Sequence, residues 1–467
     1  MKSKRPICND WASGKKLYIV LDNFRCFSGE EHRIPLKPLT ILLGENSSGK
    51  SSFLGALSTI TDLPSFPLSP NFNIPPFALG AYQTIASKRK DDKNVLSFSI
   101  GFEKVSTSKG YCKVLATYKE KNGRVEFKNF TVNCDVGQLR VYQKEKRIKM
   151  EGYIREEDSR KSIFNYKVSE VLPQGRPPDM RYLLSSSIME LMFGKEKGIF
   201  KNFDDTQKSI EKAEKELKKS KHIMDKIKLL CERMTIVLNR PILVAPIRSK
   251  PQRTYDTLDE QFVPEGKHIP LKLAHLYESP RRKNIKELES ALSRFGRESG
   301  LFQRVKINQL HSKTGLAFQV LVAIGNQEMN LIDVGYGVSQ ILPVVVESVL
   351  TPQHTMVLLQ QPEVHLHPKA QAALGSLFLR LVSQPCKCLL VETHSFYLLD
   401  RIRREVAESN FNPELIQILY FESKGLGSKV YPLSLDKWGN IKGAPPSYGS
   451  FFLNEEVRLL SRAKSGK

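Results

Sequence analysis

Gly44-Glu45-Asn46-Ser47-Ser48-Gly49-Lys50-Ser51 fills the pattern G-x-x-x-x-G-K-[ST] at every fixed position. Each of those positions has a physical task on a phosphate. The glycines let backbone N–H groups turn inward, the lysine neutralises β- and γ-phosphate oxygens, and the final hydroxyl coordinates Mg²⁺ at the start of a helix. The apolar, β-branched run over 39–43 predicts a strand that stops at Gly44, and 53–60 predicts the helix that follows. In that setting Gly44, Glu45, Asn46, Ser47, Ser48, Gly49, Lys50, Ser51 and Ser52 are candidate contacts to ATP, with Ser51 a candidate ligand of Mg²⁺.

Three later segments carry chemistry in a fixed order. Asp333-Val334-Gly335-Tyr336-Gly337-Val338-Ser339-Gln340 precedes an apolar helix predicted over 341–350, so Gly335, Gly337, Ser339 and Gln340 fall at a helix N-terminus suited to an anion. The strand predicted over 356–359 runs into Gln360-Gln361-Pro362-Glu363-Val364-His365-Leu366-His367-Pro368, the place of a Walker B motif. His365 and His367, with Glu363, do not make up a zinc set and read as subunit-contact residues. Val391-Glu392-Thr393-His394-Ser395 ends the next strand and places His394 where a γ-phosphate sensor would stand.

Further strands are predicted over 17–21, 95–102, 125–132, 317–324 and 388–391. Ile210, Ala213, Leu217, Ser220, Met224, Ile227, Cys231, Met234 and Leu238 alternate spacings of three and four, a heptad-like helix that fits either a projecting coiled-coil arm or a helix packed on its own domain. The segment 251–309 reads as loop-rich and basic, with Arg281, Arg282, Lys283, Arg294, Arg297, Arg304 and Lys306 as candidate anion contacts. A formal net charge of +23 makes DNA, RNA or a very acidic protein the expected partner. No apolar run approaches the roughly 18 residues needed to span a bilayer, and the seven scattered cysteines suit a reduced cytoplasm rather than a disulfide framework.

Taken together, Asn23-Phe24-Arg25, the 39–43 strand, Gly335-Tyr336-Gly337-Val338-Ser339-Gln340, Pro362-Glu363-Val364-His365-Leu366-His367-Pro368 and Glu392-Thr393-His394-Ser395 resemble the ATPases of the OLD (overcoming lysogenization defect) type, relatives of SMC heads. The resemblance covers about 16–130 and 320–455. It implies an α/β fold, an ABC-type ATPase head with a P-loop mixed sheet and an antiparallel β layer, interrupted by a helical, partly coiled-coil insertion. The implied parts are 16–130 with Walker A, a basic insertion over 131–319 containing the helix 205–238, 320–425 with signature, Walker B and switch histidine, and a tail over 426–467. It further implies ATP and Mg²⁺ as ligands, Asn23 and Arg25 beside the nucleotide, a homo-oligomer whose heads sandwich ATP, and a role in bacterial anti-phage defence. A RecF/SMC-like DNA-binding ATPase of repair or chromosome maintenance is the alternative.

Relatives of this type that are nucleases carry a further catalytic domain, whereas about 70 residues follow His394, fewer than the roughly 100 of a typical domain, so any effector is expected to be a separate protein. The pattern departs from its relatives at the Walker B strand, which usually ends in an acid. Gln360 and Gln361 are both amides, and an amide neither holds the water shell of Mg²⁺ nor takes a proton from water as a carboxylate does. With Gln360, Gln361, Glu363 and His394 as the candidate catalytic set and Gln360 beside the metal, slow hydrolysis is expected, and Gln360→Glu is expected to raise it. Either a naturally slow enzyme or an introduced Glu-to-Gln change accounts for the amide.

Overall fold

The computed structural model describes residues 16–62, 65–88, 93–106, 110–135, 137–144, 147–156, 159–166, 239–256, 261–278, 282–310, 317–409, 411–425 and 427–449. The heptad helix expected over 205–238 and Arg281 lie outside the described residues, as do the side chains of Arg282 and Lys283. The chain divides into two compact units, Met1–Pro35 with Ser52–Arg240, and Leu36–Ser51 with Pro241–Lys467.

In the first unit β1 (Lys16–Asp22), β2 (His32–Leu36), β4 (Ser97–Ser106), β5 (Gly110–Lys121), β6 (Arg124–Cys134), β7 (Gly137–Lys144), β8 (Arg147–Glu156) and β9 (Ser159–Tyr166) form one sheet in the order β2-β1-β4-β5-β6-β7-β8-β9. The pairings from β1 and β4 through to β9 are antiparallel. Alternation decides which face is buried: Cys112, Val114, Ala116 and Tyr118 of β5 point one way into the core. There Phe98 lies 5.4 Å from Tyr118, and Phe72 meets Tyr118 edge-on at 5.7 Å. The Tyr118 hydroxyl, fully buried, donates to the Pro67 carbonyl at 2.8 Å. The strands expected near 17–21, 95–102 and 125–132 are β1, β4 and β6.

The second unit is built on a sheet in the order β10-β14-β15-β3-β16-β17-β18, made of β3 (Leu39–Gly44), β10 (Asn239–Val244), β14 (Thr355–Gln360), β15 (Cys388–Glu392), β16 (Ile416–Lys424), β17 (Gly427–Leu435) and β18 (Ile441–Lys442). Strands β14, β15, β3 and β16 run parallel, while β17 and β18 return antiparallel. Parallel strands buried on both faces need continuous apolar runs, and β14, Thr355–Gln360, and β15, Cys388–Glu392, are buried at every position. A smaller antiparallel sheet holds β11 (Arg304–Gln309), β12 (Phe318–Ile324) and β13 (Gln327–Asn330). The fold is mixed α/β.

The helices are α1 (Lys50–Thr61), α2 (Tyr82–Ile85), α3 (Ile269–Glu278), α4 (Arg282–Ser299), α5 (Tyr336–Leu350), α6 (Pro368–Val382) and α7 (Phe396–Ser409). Helices α6 and α7 approach closely because position 375 is glycine: a Cβ there would stand 2.7 Å from the Leu398 carbonyl oxygen. The segment 251–309 is not loop-rich as expected, since α3, α4 and β11 lie in it. Leu288, Leu292 and Phe295 place an apolar stripe on α4 at spacings of four and three, masked in the sequence by the charges between them. Part of the basic surface expected there is neutralised within the unit, by Arg294 on Glu298 at 3.0 Å and by Arg304 at 3.2 Å and Lys306 on Glu328.

Glu347 of α5 is 1% exposed and takes its partners from the start of α3: His268 Nε2 at 2.8 Å and Lys272 Nζ at 2.8 Å. Burial alone would raise its carboxyl, but the His268 hydrogen bond and the Lys272 charge outweigh that and hold it below the usual carboxylate range. A depressed pKa contributes stability above the unfolded-state value that is lost as the pH falls through the folded one. Glu347→Ala is therefore expected to destabilise the unit by about 3–5 kcal/mol, the cost of breaking a buried pair. Thermal melting followed across acidic pH would check it, because the variant should lose part of the wild-type acid dependence as well as stability.

Candidate phosphate and divalent-cation site

At the C-terminal edge of the parallel sheet β3 ends in the glycine-rich loop and α1 begins at Lys50. Gly44 has φ +138°, and a Cβ there would lie 2.2 Å from the Phe421 carbonyl oxygen, so only glycine fits where the loop leaves the strand. Ser47 and Gly49 also take positive φ, which curls the loop. Ser48 is buried and its Oγ donates to the Glu45 carbonyl at 2.8 Å, whereas Glu45, Asn46 and Ser47 are exposed. The Lys50 ammonium donates to the carbonyls of Gly44 at 2.9 Å and Glu45 at 2.6 Å, across the mouth of the loop. Burial lowers its pKa, opposed by the charges of Glu392 and Glu45.

The strand order places β15 between β14 and β3, in a register that pairs Gln360 with Glu392 and Glu392 with Leu42. Ser51 Oγ donates to both carboxylate oxygens of Glu392, at 3.1 and 3.2 Å, and Gln360 Nε2 donates to the same carboxylate at 3.1 Å. The structure thus brings Lys50, Ser51 and Gln360 together around a carboxylate that the sequence pattern did not single out. A serine hydroxyl with an adjacent carboxylate is the hard-oxygen donor set that Mg²⁺ takes alongside phosphate and water.

Gln361 has φ +43°, and its N–H donates to the Glu392 carbonyl at 2.7 Å. Glu363 is buried, and its Oε1 accepts the His394 N–H at 2.7 Å, so its carboxylate positions the histidine loop. Burial raises the Glu363 pKa, with the His394 N–H bond working against it. His394 keeps an exposed face, but partial desolvation of its ring and then the charge of Lys50 lower its pKa and favour the neutral imidazole, while the charge of Glu392 acts against them. Beside this loop a cavity of about 190 Å³ is lined by Gly44, Glu45, His394, Phe396, Tyr420 and Tyr448 among others.

Arg248 was missed by sequence reasoning. It is 2% exposed, and its Nη2 donates to the Gln361 carbonyl at 3.1 Å, while Nε and Nη1 have no hydrogen-bond partner among the described residues. Burial lowers its pKa to about 10, against the nearby charge of Glu363. A single arginine on a strand exit has no signature in a sequence.

Gly335 caps α5, is exposed, and has nothing within 4 Å of where a Cβ would be. Gly337 lies close to the His365 carbonyl, 3.0 Å from an added Cβ, and Tyr336 meets the His365 ring edge-on at 4.9 Å. Ser339 and Gln340 are the other two candidate anion contacts of this helix start. Both are buried in the first turn of α5, with Ser339 Oγ returned to the Tyr336 carbonyl at 2.8 Å and Gln340 Nε2 3.5 Å from the Arg248 carbonyl. His367 caps α6 through Nδ1, and His365 is exposed with φ +66°. Among the described residues no group of three or more His, Cys, Asp or Glu could hold a metal. Asn23 and Arg25 belong to the first unit, in a positive-φ turn where Arg25 Nη1 donates to the Leu79 carbonyl at 3.3 Å; Ser52 is assigned to that unit too.

A glycine-rich loop between a parallel strand and a helix, with lysine and serine at the helix start, defines a P-loop nucleotide-binding protein. Residues 17–399 match the model of the AAA ATPase domain family, and the chain belongs to that family. No curated protein matches it significantly. Among solved structures it is similar to the Smc head domain of Pyrococcus furiosus, with an extended coiled coil and bound to the C-terminal domain of ScpA, at 13% identity and TM-score 0.39 over 95% of this chain and 100% of that one. The SMC head domain of Thermotoga maritima is similar at 9% identity and TM-score 0.38, over 90% of this chain and 98% of that one. Among the described residues no helix is long and apolar enough to cross a membrane.

Proposed function

We propose that this chain binds ATP with Mg²⁺ and acts as a nucleotide-gated head that pairs with a second copy. The observation that carries the reading is the cluster of Lys50, Ser51, Gln360 and Glu392 at the carboxyl edge of the parallel sheet, where ligands of open α/β sheets bind. Loop N–H groups over 44–49 would cradle the phosphates, with Lys50 swinging from its two carbonyls onto β/γ-oxygens. Mg²⁺, held at Ser51, would neutralise charge on the β- and γ-phosphates. Glu363 fixes the loop that presents His394 toward that end of the site. Hydrolysis is slow in this reading, because Gln360 and Gln361 offer no proton acceptor.

The 335–340 turn completes the site in trans. The exposed start of α5 offers the positive end of a helix dipole to the γ-phosphate of a partner copy. The Gly335→Asp variant tests it: a Cβ there meets nothing within 4 Å among the described residues, and the side chain sets a carboxylate where the phosphate would arrive. Light scattering should show the wild-type mass doubling with ATP and Mg²⁺ and the variant remaining monomeric. Equal masses with and without ATP would overturn nucleotide-gated pairing.

At the level of biology the reading is a cytoplasmic sensor or scaffold of a bacterial anti-phage system, signalling to a separate nuclease or toxin. It rests on the OLD-type motif order, and within that group size and order resemble AriA, the ATPase of the PARIS system. The head in this reading is formed by 16–130 and 320–425, with the basic stretch 131–319 holding an acidic protein trigger. The +23 charge favours a second reading, a RecF/SMC-like ATPase that holds DNA directly. Co-purification of an effector from the native host supports the first, and salt-dependent binding of plain duplex DNA supports the second.

A further inference from the structure

We propose that Glu392, at the end of β15, is the acidic partner of the nucleotide's divalent cation, taking over the role that the amide at Gln360 cannot fill. The inference rests on the P-loop reading above and deepens it. It starts from position: β15 lies between β14 and β3, so Glu392 is one strand nearer the P-loop than Gln360. Register then places Glu392 level with Gln360 on one side and with Leu42, two residues before Gly44, on the other. A carboxylate at that place reaches the Ser51 hydroxyl directly, at 3.1 and 3.2 Å.

The electrostatics point the same way. Glu392 is 4% exposed, and among the described residues its carboxylate is hydrogen-bonded by two neutral groups, the Ser51 hydroxyl and the Gln360 amide. A buried carboxylate is costly unless a charge compensates it. Lys50, whose charge acts on Glu392, directs its ammonium to the Gly44 and Glu45 carbonyls and makes no hydrogen bond to that carboxylate among the described residues. A divalent cation at Ser51 would supply the missing compensation, with hard oxygen ligands of the kind it prefers.

Gln360 has a definite part in this arrangement. Its amide N–H donates to Glu392, so it orients the carboxylate rather than competing with it. A second carboxylate at that place would stand against the first, whereas the amide bonds to it. Gln360 is thus a positioning residue and Glu392 a cation ligand, either directly or through the cation's water.

The test uses the full chain and two titrations. Mn²⁺ binding is followed by electron paramagnetic resonance in the presence of a non-hydrolysable ATP analogue, and binding of a fluorescent ATP analogue is followed in EDTA. The isosteric Glu392→Gln is expected to weaken Mn²⁺ binding by about 10–100-fold, the scale for losing a group that supports a metal, while metal-free nucleotide affinity is little changed. Adding Gln360→Glu to that variant should restore Mn²⁺ binding by returning one carboxylate to the pair. Unchanged Mn²⁺ affinity in Glu392→Gln overturns the proposal, and so does an equal loss of nucleotide affinity with and without metal, which would make Glu392 a support of the loop. Binding of the fluorescent analogue to the wild-type chain with Mg²⁺ present reports on the P-loop: no binding there overturns both readings, and binding there with unchanged Mn²⁺ affinity in Glu392→Gln overturns only the role of Glu392.

Discussion

Lys50→Ala is expected to leave a folded protein that no longer binds ATP at any useful affinity. Lys50 is the one P-loop side chain that carries a positive charge, and its present partners are two backbone carbonyls of its own loop. Its removal breaks no ion pair among the described residues, so the far-ultraviolet spectrum and cooperative melting should persist. Removing the charged partner of a buried anion costs on the order of 2–5 kcal/mol, and about 1.4 kcal/mol is tenfold in Kd. Calorimetric titration should therefore show ATP weakened by roughly a hundredfold or more. Wild-type affinity in this variant would remove the P-loop reading and everything built on it.

Gln361→Glu is expected to raise ATP turnover, and by more than Gln360→Glu. The sequence alone favoured position 360, because a carboxylate there would return to the shell of the metal. With Glu392 hydrogen-bonded to Gln360, a carboxylate already stands there, and the missing element is a proton acceptor beyond the strand end. Gln361 occupies that place, with a positive φ and a backbone held by Glu392 and Arg248. General-base catalysis contributes about 10²–10⁴-fold, so single-turnover hydrolysis with Gln361→Glu should rise on that scale. Gln360→Glu should give a smaller rise and a metal-free protein that melts lower, since it sets two carboxylates side by side. A larger gain from Gln360→Glu would show that the cation, not the proton, limits the wild-type chain.

The P-loop could be found from the sequence because all its parts lie within eight residues and between two elements with clear patterns. Strands β14 and β15 could be found for a similar reason, as short apolar runs buried along their whole length. Glu392 could be read only as part of the histidine motif, since its pairing with Gln360, 32 positions away, depends on β14 and β15 being parallel neighbours. Arg248 was hidden in the same way, its contact with Gln361 spanning 113 positions. Strand β8 did carry a signal in its alternating Ile148, Met150, Gly152 and Ile154, which was lost among the charges that flank each of them. The burial of Ser339 was legible too: Leu342 and Pro343, three and four residues further along α5, share its face and are apolar and buried.

Lys387, flanked by two buried cysteines, ties the two ends of the site into one frame. Its ammonium donates to the carbonyls of Val349 at 2.8 Å and Thr351 at 2.5 Å, where α5 runs out, and the next residue begins β15. Cations at a helix C-terminus are held by both the free carbonyls and the dipole. Helix α5, about 22 Å long at 1.5 Å per residue, is thus pinned at its far end to a strand whose other end carries Glu392. A displacement of α5 along its axis would bear through this pin on the start of β15, whose five residues end at Glu392. The exposed Gly335 end of α5 and the Glu392 end of β15 are in that sense two handles on the same lever.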